Sequence, residues 1–310
     1  MKTHTERDVN LAAPEIPTVR LRRGSQAGDA VCAALAAGVS RLLRHEPGVR
    51  VGDDPEDVHQ ARVATRRLRS DMRTFRPLLD QERAGPLRNE LKWAADLLGA
   101  ARDADVMLER LRRDAERLPQ RDAAAAAGLL RRLTAERDRA RARVRDGFES
   151  DRCVDLVGDL IAFAQVPPLV GEWARPAFDV LPTLVAPTWK HLQRAVDELN
   201  DPPRPDELHQ VRIRAKRCRY ASEAVAPAAG KEASKLASAV ADVQGVLGDH
   251  HDAYMAGQWL RGASVEVDAP QVLAAGELIS LQMLEAAALE QKWQKSWRKA
   301  SKKRLRKWLG

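Results

Sequence analysis

The chain has 310 residues and carries a formal net charge of +8 at pH 7, with a sequence pI near 9.7. That length can bury a substantial core, as one large domain or two small ones, and the positive balance favours anionic partners. Three cysteines without a C-x-x-C pattern argue against a disulfide framework or a zinc site and fit a reducing, cytoplasmic setting.

Residues 1–24 are polar, hold Pro14 and Pro17 and lack the apolar core of a signal peptide, so they read as a loose arm. Ser25–His45 is the first expected helix. Its apolar run, Ala30–Leu43, is too short to span a bilayer, and no transmembrane segment is expected. The basic residues Arg41, Arg44 and His45 near its end either extend a basic surface or complement the helix C-terminus.

The next stretch organises the rest. From His59 to Arg76 the chain reads HQARVATRRLRSDMRTFR, with His59, Arg62, Arg66, Arg69, Arg73 and Arg76 at spacings of three and four. That is the period of one helix face, and the ladder is about 26 Å long at about 1.5 Å per residue. Ala61, Ala64, Leu68, Met72, Phe75 and Leu79 form the opposite, core-facing stripe, and Asp54 with Pro55 is the expected cap and first turn. Solvated helix faces usually mix signs, because like charges four apart repel. Here the only nearby acids are Asp57 and Asp71. An uncompensated row of arginines points to an anionic ligand, since the guanidinium fork matches phosphate oxygens in pairs.

Pro86–Leu98 and Asp103–Leu118 then read as a helical hairpin, followed by a charged helix over Asp122–Phe148 and an apolar one over Cys153–Phe163. The proline-rich run VPPLVGEWARP, residues 166–176, separates a first half (25–166) from a second (167–300). The second half opens with a helix bearing Trp189, Lys190, His191 and Arg194, made irregular at its start by Pro182 and Pro187.

The second ladder, HQVRIRAKRCRY from His209 to Tyr220, aligns without gaps on HQARVATRRLRS. His209, Arg212, Lys216 and Arg219 stand where His59, Arg62, Arg66 and Arg69 stand, backed by Val211, Ala215, Cys218 and Val225. Asp206 is the expected cap. A solvated face has no reason to recur with its histidine and cation spacing intact, so the chain is two copies of one helical unit. Each ladder is followed by a Leu-Gly pair, Leu98-Gly99 and Leu247-Gly248, with Asp103 and Asp252 beyond; these read as helix ends with capping aspartates. Helices over Lys231–Leu247 and His251–Arg261 and a last one from Pro270 complete the second half. Residues 292–310 hold nine cations, no acid, and Trp293, Trp297 and Trp308. They read as a basic accessory, with 301–310 as a tail suited to polyphosphate, nucleic acid or an anionic membrane surface.

Together VHQARVATRRLRSDMRTFRPLL, LGAARDADV, LHQVRIRAKRCRY and VLGDHHD resemble the CHAD family, named for its histidine-bearing α-helical domain, over about residues 25–300. The resemblance implies an all-α fold of two pseudo-symmetric four-helix units packed around a basic central channel. It also implies binding of inorganic polyphosphate without catalysis or cofactor, and a location at polyphosphate granules. Carried onto this sequence, the ligand-binding set is His59, Arg62, Arg66, Arg69, Arg73, His209, Arg212, Lys216 and Arg219, joined by Arg67, Arg217 and Arg194. The E-x-E-x-K strand of the triphosphate tunnel domain found in some members does not occur. The rival readings are a general nucleic-acid-binding protein and a metal-dependent phosphohydrolase. Against the first, Tyr220 is the only aromatic within the two aligned ladder motifs, so stacking on bases lacks a platform. The second rests on His250-His251-Asp252, which the first half replaces with Ala101-Arg102-Asp103.

Overall fold

The computed structural model describes residues 16–310 apart from Arg23, Asp53 and Glu266. Within them the chain is all helical: α1 (Ala27–Val51), α2 (Pro55–Thr74), α3 (Gln81–Ala115), α4 (Gln120–Glu149), α5 (Asp151–Gln165), α6 (Ala177–Asp197), α7 (Pro205–Ala229), α8 (Lys231–Ala263) and α9 (Ala269–Ala300). Helices α1–α4 pack on one another, as do α6–α9, giving two pseudo-symmetric helical units. Residues 1–15 of the expected arm lie outside the described residues, while Ile16 and Leu21 rest partly buried on the first core.

The ladder helices form as the sequence requires. In α2 the Asp54 carboxylate accepts the Glu56 amide at 2.8 Å, and the whole expected stripe, from Ala61 to Leu79, is buried. In α7 the cap is Arg204 and not Asp206. Pro205 takes the first helical position, and the Glu207 carboxylate reaches back to accept the Arg204 amide at 2.8 Å. Asp206 falls in the first turn, where its charge still complements the helix dipole.

The Leu-Gly pairs do not end helices. α3 and α8 run unbroken for 35 and 33 residues, so the expected hairpin at 86–118 and the break at 248–250 are both absent. The apolar register explains this. Leu91, Ala94, Leu98, Ala101, Leu108 and Leu111 are buried at helical spacing straight through Gly99, and that burial outweighs the ~1 kcal/mol a mid-helix glycine costs. α6 likewise starts at Ala177 and continues through Pro182 and Pro187, carried by buried Val180, Leu181 and Val185.

Residues 166–176 are pinned to the first unit. The Val170 amide donates to Leu78 O at 3.0 Å, the Asp80 amide to Pro168 O at 2.9 Å, and the Gly28 amide to Trp173 O at 2.8 Å. Gly171 is required there: its φ is +66°, and a Cβ would lie 2.7 Å from Pro77 O.

The C-terminal residues are part of the core. Trp293 is buried, Trp297 stacks on Trp189 with ring centres 5.4 Å apart, and Arg306 lies 4.8 Å above the same Trp189 ring. Trp308 and Leu309 pack against both the first-unit and second-unit cores. The indoles of 292–310 fold back, Arg306 is half-buried, and the other eight cations of this stretch stay exposed. α9 also contains an 18-residue window of mean hydropathy 1.5, long and apolar enough by composition to cross a membrane, which the sequence reading did not anticipate. In this fold α9 packs along α8 and α4.

The two units meet along several helices, among them α1 against α6 and α7, where Leu181, Val185 and Val225 join the first core. Leu108, Leu111, Leu129 and Leu133 of α3 and α4 share a core with Leu260, Ala274 and Leu278 of α8 and α9. α2 also lies against α7.

Candidate functional site

A cavity of about 400 Å³ opens where α2, α3, α7 and α8 converge. Both repeats contribute: Arg62 from α2, Arg102 and Arg110 from α3, His209, Arg212 and Lys216 from α7, and His251 from α8. Its acids are Asp103 and Asp252. Arg62 donates to Asp103 at 2.8 Å across the cavity wall, so Asp103 serves as a partner for the ladder and not as a cap. The glycines have a related placement. A Cβ on Gly99 would sit 3.9 Å from Arg62 Nε, and one on Gly248 would sit 3.8 Å from Arg212 Nε, the same arrangement in both halves.

Burial and crowding set the protonation. Lys216 is pushed down to about 7, first by burial, then by Arg66, Arg212 and Arg62, with Asp103 opposing. His251 is pushed down to about 4 by burial and by His209 and Arg212 beside it; its ring lies 4.1 Å from that of His209. His59 and His209 also lie below the usual imidazole range. Burial is the larger cause in both, followed by Arg102 for His59 and by Arg212 and Lys216 for His209. The Nδ1 atoms of both histidines and Nε of Arg212 are buried with no hydrogen-bond partner. Both imidazoles are held toward the neutral form, and buried polar atoms without a protein partner are costly.

Where α2 meets α7, Arg66, Arg67 and Arg219 surround the buried Tyr220 ring at 5.4, 5.8 and 5.6 Å. Arg67 and Arg219 share the Glu223 carboxylate, Arg219 at 2.6 Å, and Arg67 also pairs with Asp71 at 3.2 Å. Glu223 thus clasps the two units together. The row read as uncompensated is thus partly paired, Arg62 with Asp103 and Arg219 with Glu223. The mirror of this clasp is bare: the positions equivalent to Arg67 and Glu223 are Arg217 and Arg73, 150 residues away in each direction. Arg73 is pushed down by burial and then by Arg217, Arg88 and Arg69.

Of the expected set, the cavity therefore gathers Arg62, His209, Arg212 and Lys216, with Arg66 beside them. Arg69, Arg73 and Arg217 lie on the bare flank, Arg67 and Arg219 in the clasp, and His59 near Arg102. Arg194 is exposed on α6 and does not line the cavity. Sequence reasoning missed Arg102 and Arg110 because α3 was broken at Gly99. A continuous helix puts residues 102, 103, 106 and 110 on one face. His250, His251 and Asp252 diverge: His250 is buried with Nε2 3.4 Å from Glu290, while the other two face the cavity. No group of three or more His, Cys, Asp or Glu that could hold a metal occurs among the described residues.

Known proteins share this fold. The CHAD domain family model matches residues 33–261. An uncharacterized protein of Mycobacterium tuberculosis strain H37Rv is 30% identical over 245 residues, covering 75% of this chain and 45% of its own length. The chain thus spans about half of that curated relative. Among solved structures, PptA from Streptomyces chartreusis superposes with a TM-score of 0.76 at 26% identity, covering 88% of this chain and 100% of its own. The CHAD domain from the plant Ricinus communis gives 0.71 at 27% identity, covering 92% and 96%. This chain belongs to the CHAD family.

Proposed function

We propose that the chain binds inorganic polyphosphate without catalysis, along the α2 and α7 ladders and in the cavity they share with α3 and α8. The observation that carries this reading is the convergence of cations from both repeats on one cavity whose buried donors lack partners. Polyphosphate is a flexible polyanion with about one charge per unit and no bases to read. Arginines take its oxygens in pairs, and Lys216 acts as a point charge. The setting implied by the family is a reducing compartment containing polyphosphate granules.

The nucleic-acid alternative loses its one stacking candidate, since Tyr220 is buried beneath three guanidiniums. The test is competition on immobilised protein between long-chain polyphosphate, duplex DNA and single-stranded RNA at one salt concentration. Strong preference for polyphosphate is expected; comparable affinity for all three would reduce the protein to a generic basic surface. Affinity should also fall steeply with salt through counterion release, a relation transferred from nucleic acids.

The cavity makes binding pH-dependent with a fixed sign. Lys216 is held near 7 in the free protein, and a polyanion raises it by supplying opposite charge. Above about pH 7 binding must then take up a proton, so affinity falls as pH rises from there. His59, His209 and His251 start lower and add uptake only at more acidic pH. Titration calorimetry in buffers of different ionisation enthalpy should show the uptake at pH 8, and Lys216→Arg should remove it. Equal heats in all buffers for the wild type would contradict the assignment.

A further inference from the structure

Lys216 is the one lysine among the described residues that lines the cavity. Its repeat equivalent is Arg66, so the pseudo-symmetric partner of this amine is a group that cannot lose its proton. No ion pair or hydrogen bond among the described residues engages its ammonium. Arg62 and Arg66 face it from α2 and Arg212 from its own helix, with Asp103 of α3 the opposing charge. His209 and His251, also in the lining, are held toward the neutral form, and Asp252 of α8 is the second acid of the cavity. An amine in such company is nucleophilic at neutral pH, and the same arginines concentrate anions around it.

We propose that Lys216 is an acylation site whose acyl donors are acyl phosphates, small anionic mixed anhydrides of a carboxylic acid and phosphoric acid. The inference rests on the anion-attracting cavity, not on the length or identity of any polymer bound there. The Lys216 Nζ lone pair attacks the acyl carbonyl carbon, and the bond from that carbon to the phosphate oxygen breaks. Inorganic phosphate leaves with the electron pair, held by Arg62 and Arg212, and the amine proton passes to water. The product is a neutral amide. It removes one cation from the centre of the cavity, as lysine acetylation does elsewhere, and would lower affinity for any polyanion.

The test is to incubate the full chain with acetyl phosphate at pH 7.5 and follow each lysine by peptide mass spectrometry. Lys216 should acetylate at least about tenfold faster than exposed Lys231 and Lys299, reflecting its larger neutral fraction and the local anion concentration. N-hydroxysuccinimidyl acetate, an uncharged donor, should favour Lys216 less. Arg62→Gln combined with Arg212→Gln should bring Lys216 to the surface rate with unchanged helix content. A Lys216 rate with acetyl phosphate no higher than that of Lys231 overturns the proposal, as does selectivity that survives the double substitution. Adding polyphosphate separates this inference from the preceding one. Selective acetylation that polyphosphate fails to block keeps the acylation site and removes the polyphosphate reading. Tight polyphosphate binding without selective acetylation does the reverse.

Discussion

Reversing two charges on either ladder should abolish binding of long polyphosphate by the whole chain. Arg62→Glu with Arg66→Glu, and separately Arg212→Glu with Lys216→Glu, place carboxylates where phosphates must sit. Like charges at an interface cost on the order of several kcal/mol, so affinity should fall by at least about 100-fold in each double variant. Folding should survive. The partner Arg62 loses, Asp103, has a side chain 71% exposed, and such surface pairs contribute about 0–1 kcal/mol. Loss of the crowding around Arg66 and Lys216 works in the opposite direction. Wild-type protein should bind the polymer one to one. If the halves held independent sites, each variant would keep about half the capacity at unchanged affinity, and calorimetry showing that would end the shared-site reading.

The second large effect concerns stability. Deleting residues 292–310 should unfold the second unit, because it removes Trp293, the Trp297–Trp189 stack and the Trp308 and Leu309 contacts from two cores. Trp293→Ala alone should cost about 3–5 kcal/mol, a large share of the ~5–15 kcal/mol a folded chain possesses. Trp293→Phe should cost much less, since the indole Nε1 is buried without a partner and phenylalanine leaves no such donor. Thermal and denaturant melts decide. A truncated chain that melts like the full one, with only its salt dependence flattened, would return the tail to the role of an electrostatic accessory.

The ladder helices were legible because two independent signals coincide in them. The apolar stripe from Ala61 to Leu79 has the helical period, and the cation spacing recurs after 150 residues. Both survive in the structure. The course of α3 and α8 was not legible, since Gly99 and Gly248 are local signals of a helix end and their continuation depends on burial against distant helices. That one misreading concealed Arg102 and Arg110, which take their place in the cavity only if the helix does not stop. Glu223 was hidden for another reason. It sits one turn beyond Arg219 and looks like an ordinary partner within α7, whereas its second partner, Arg67, is 156 residues away. The tail misled through composition: nine cations mask three indoles whose destination is decided by tertiary packing.

The unequal flanks of the α2–α7 contact have a mechanical meaning. On one side Glu223 rivets the units together. At the equivalent place on the other side two arginines, Arg73 and Arg217, repel across the same gap. The positive charge is therefore unspent on that side and paired on the other. The duplication diverges at that one pair of positions, and each flank draws one residue from each copy: Arg67 with Glu223 fastens, Arg73 with Arg217 stays open.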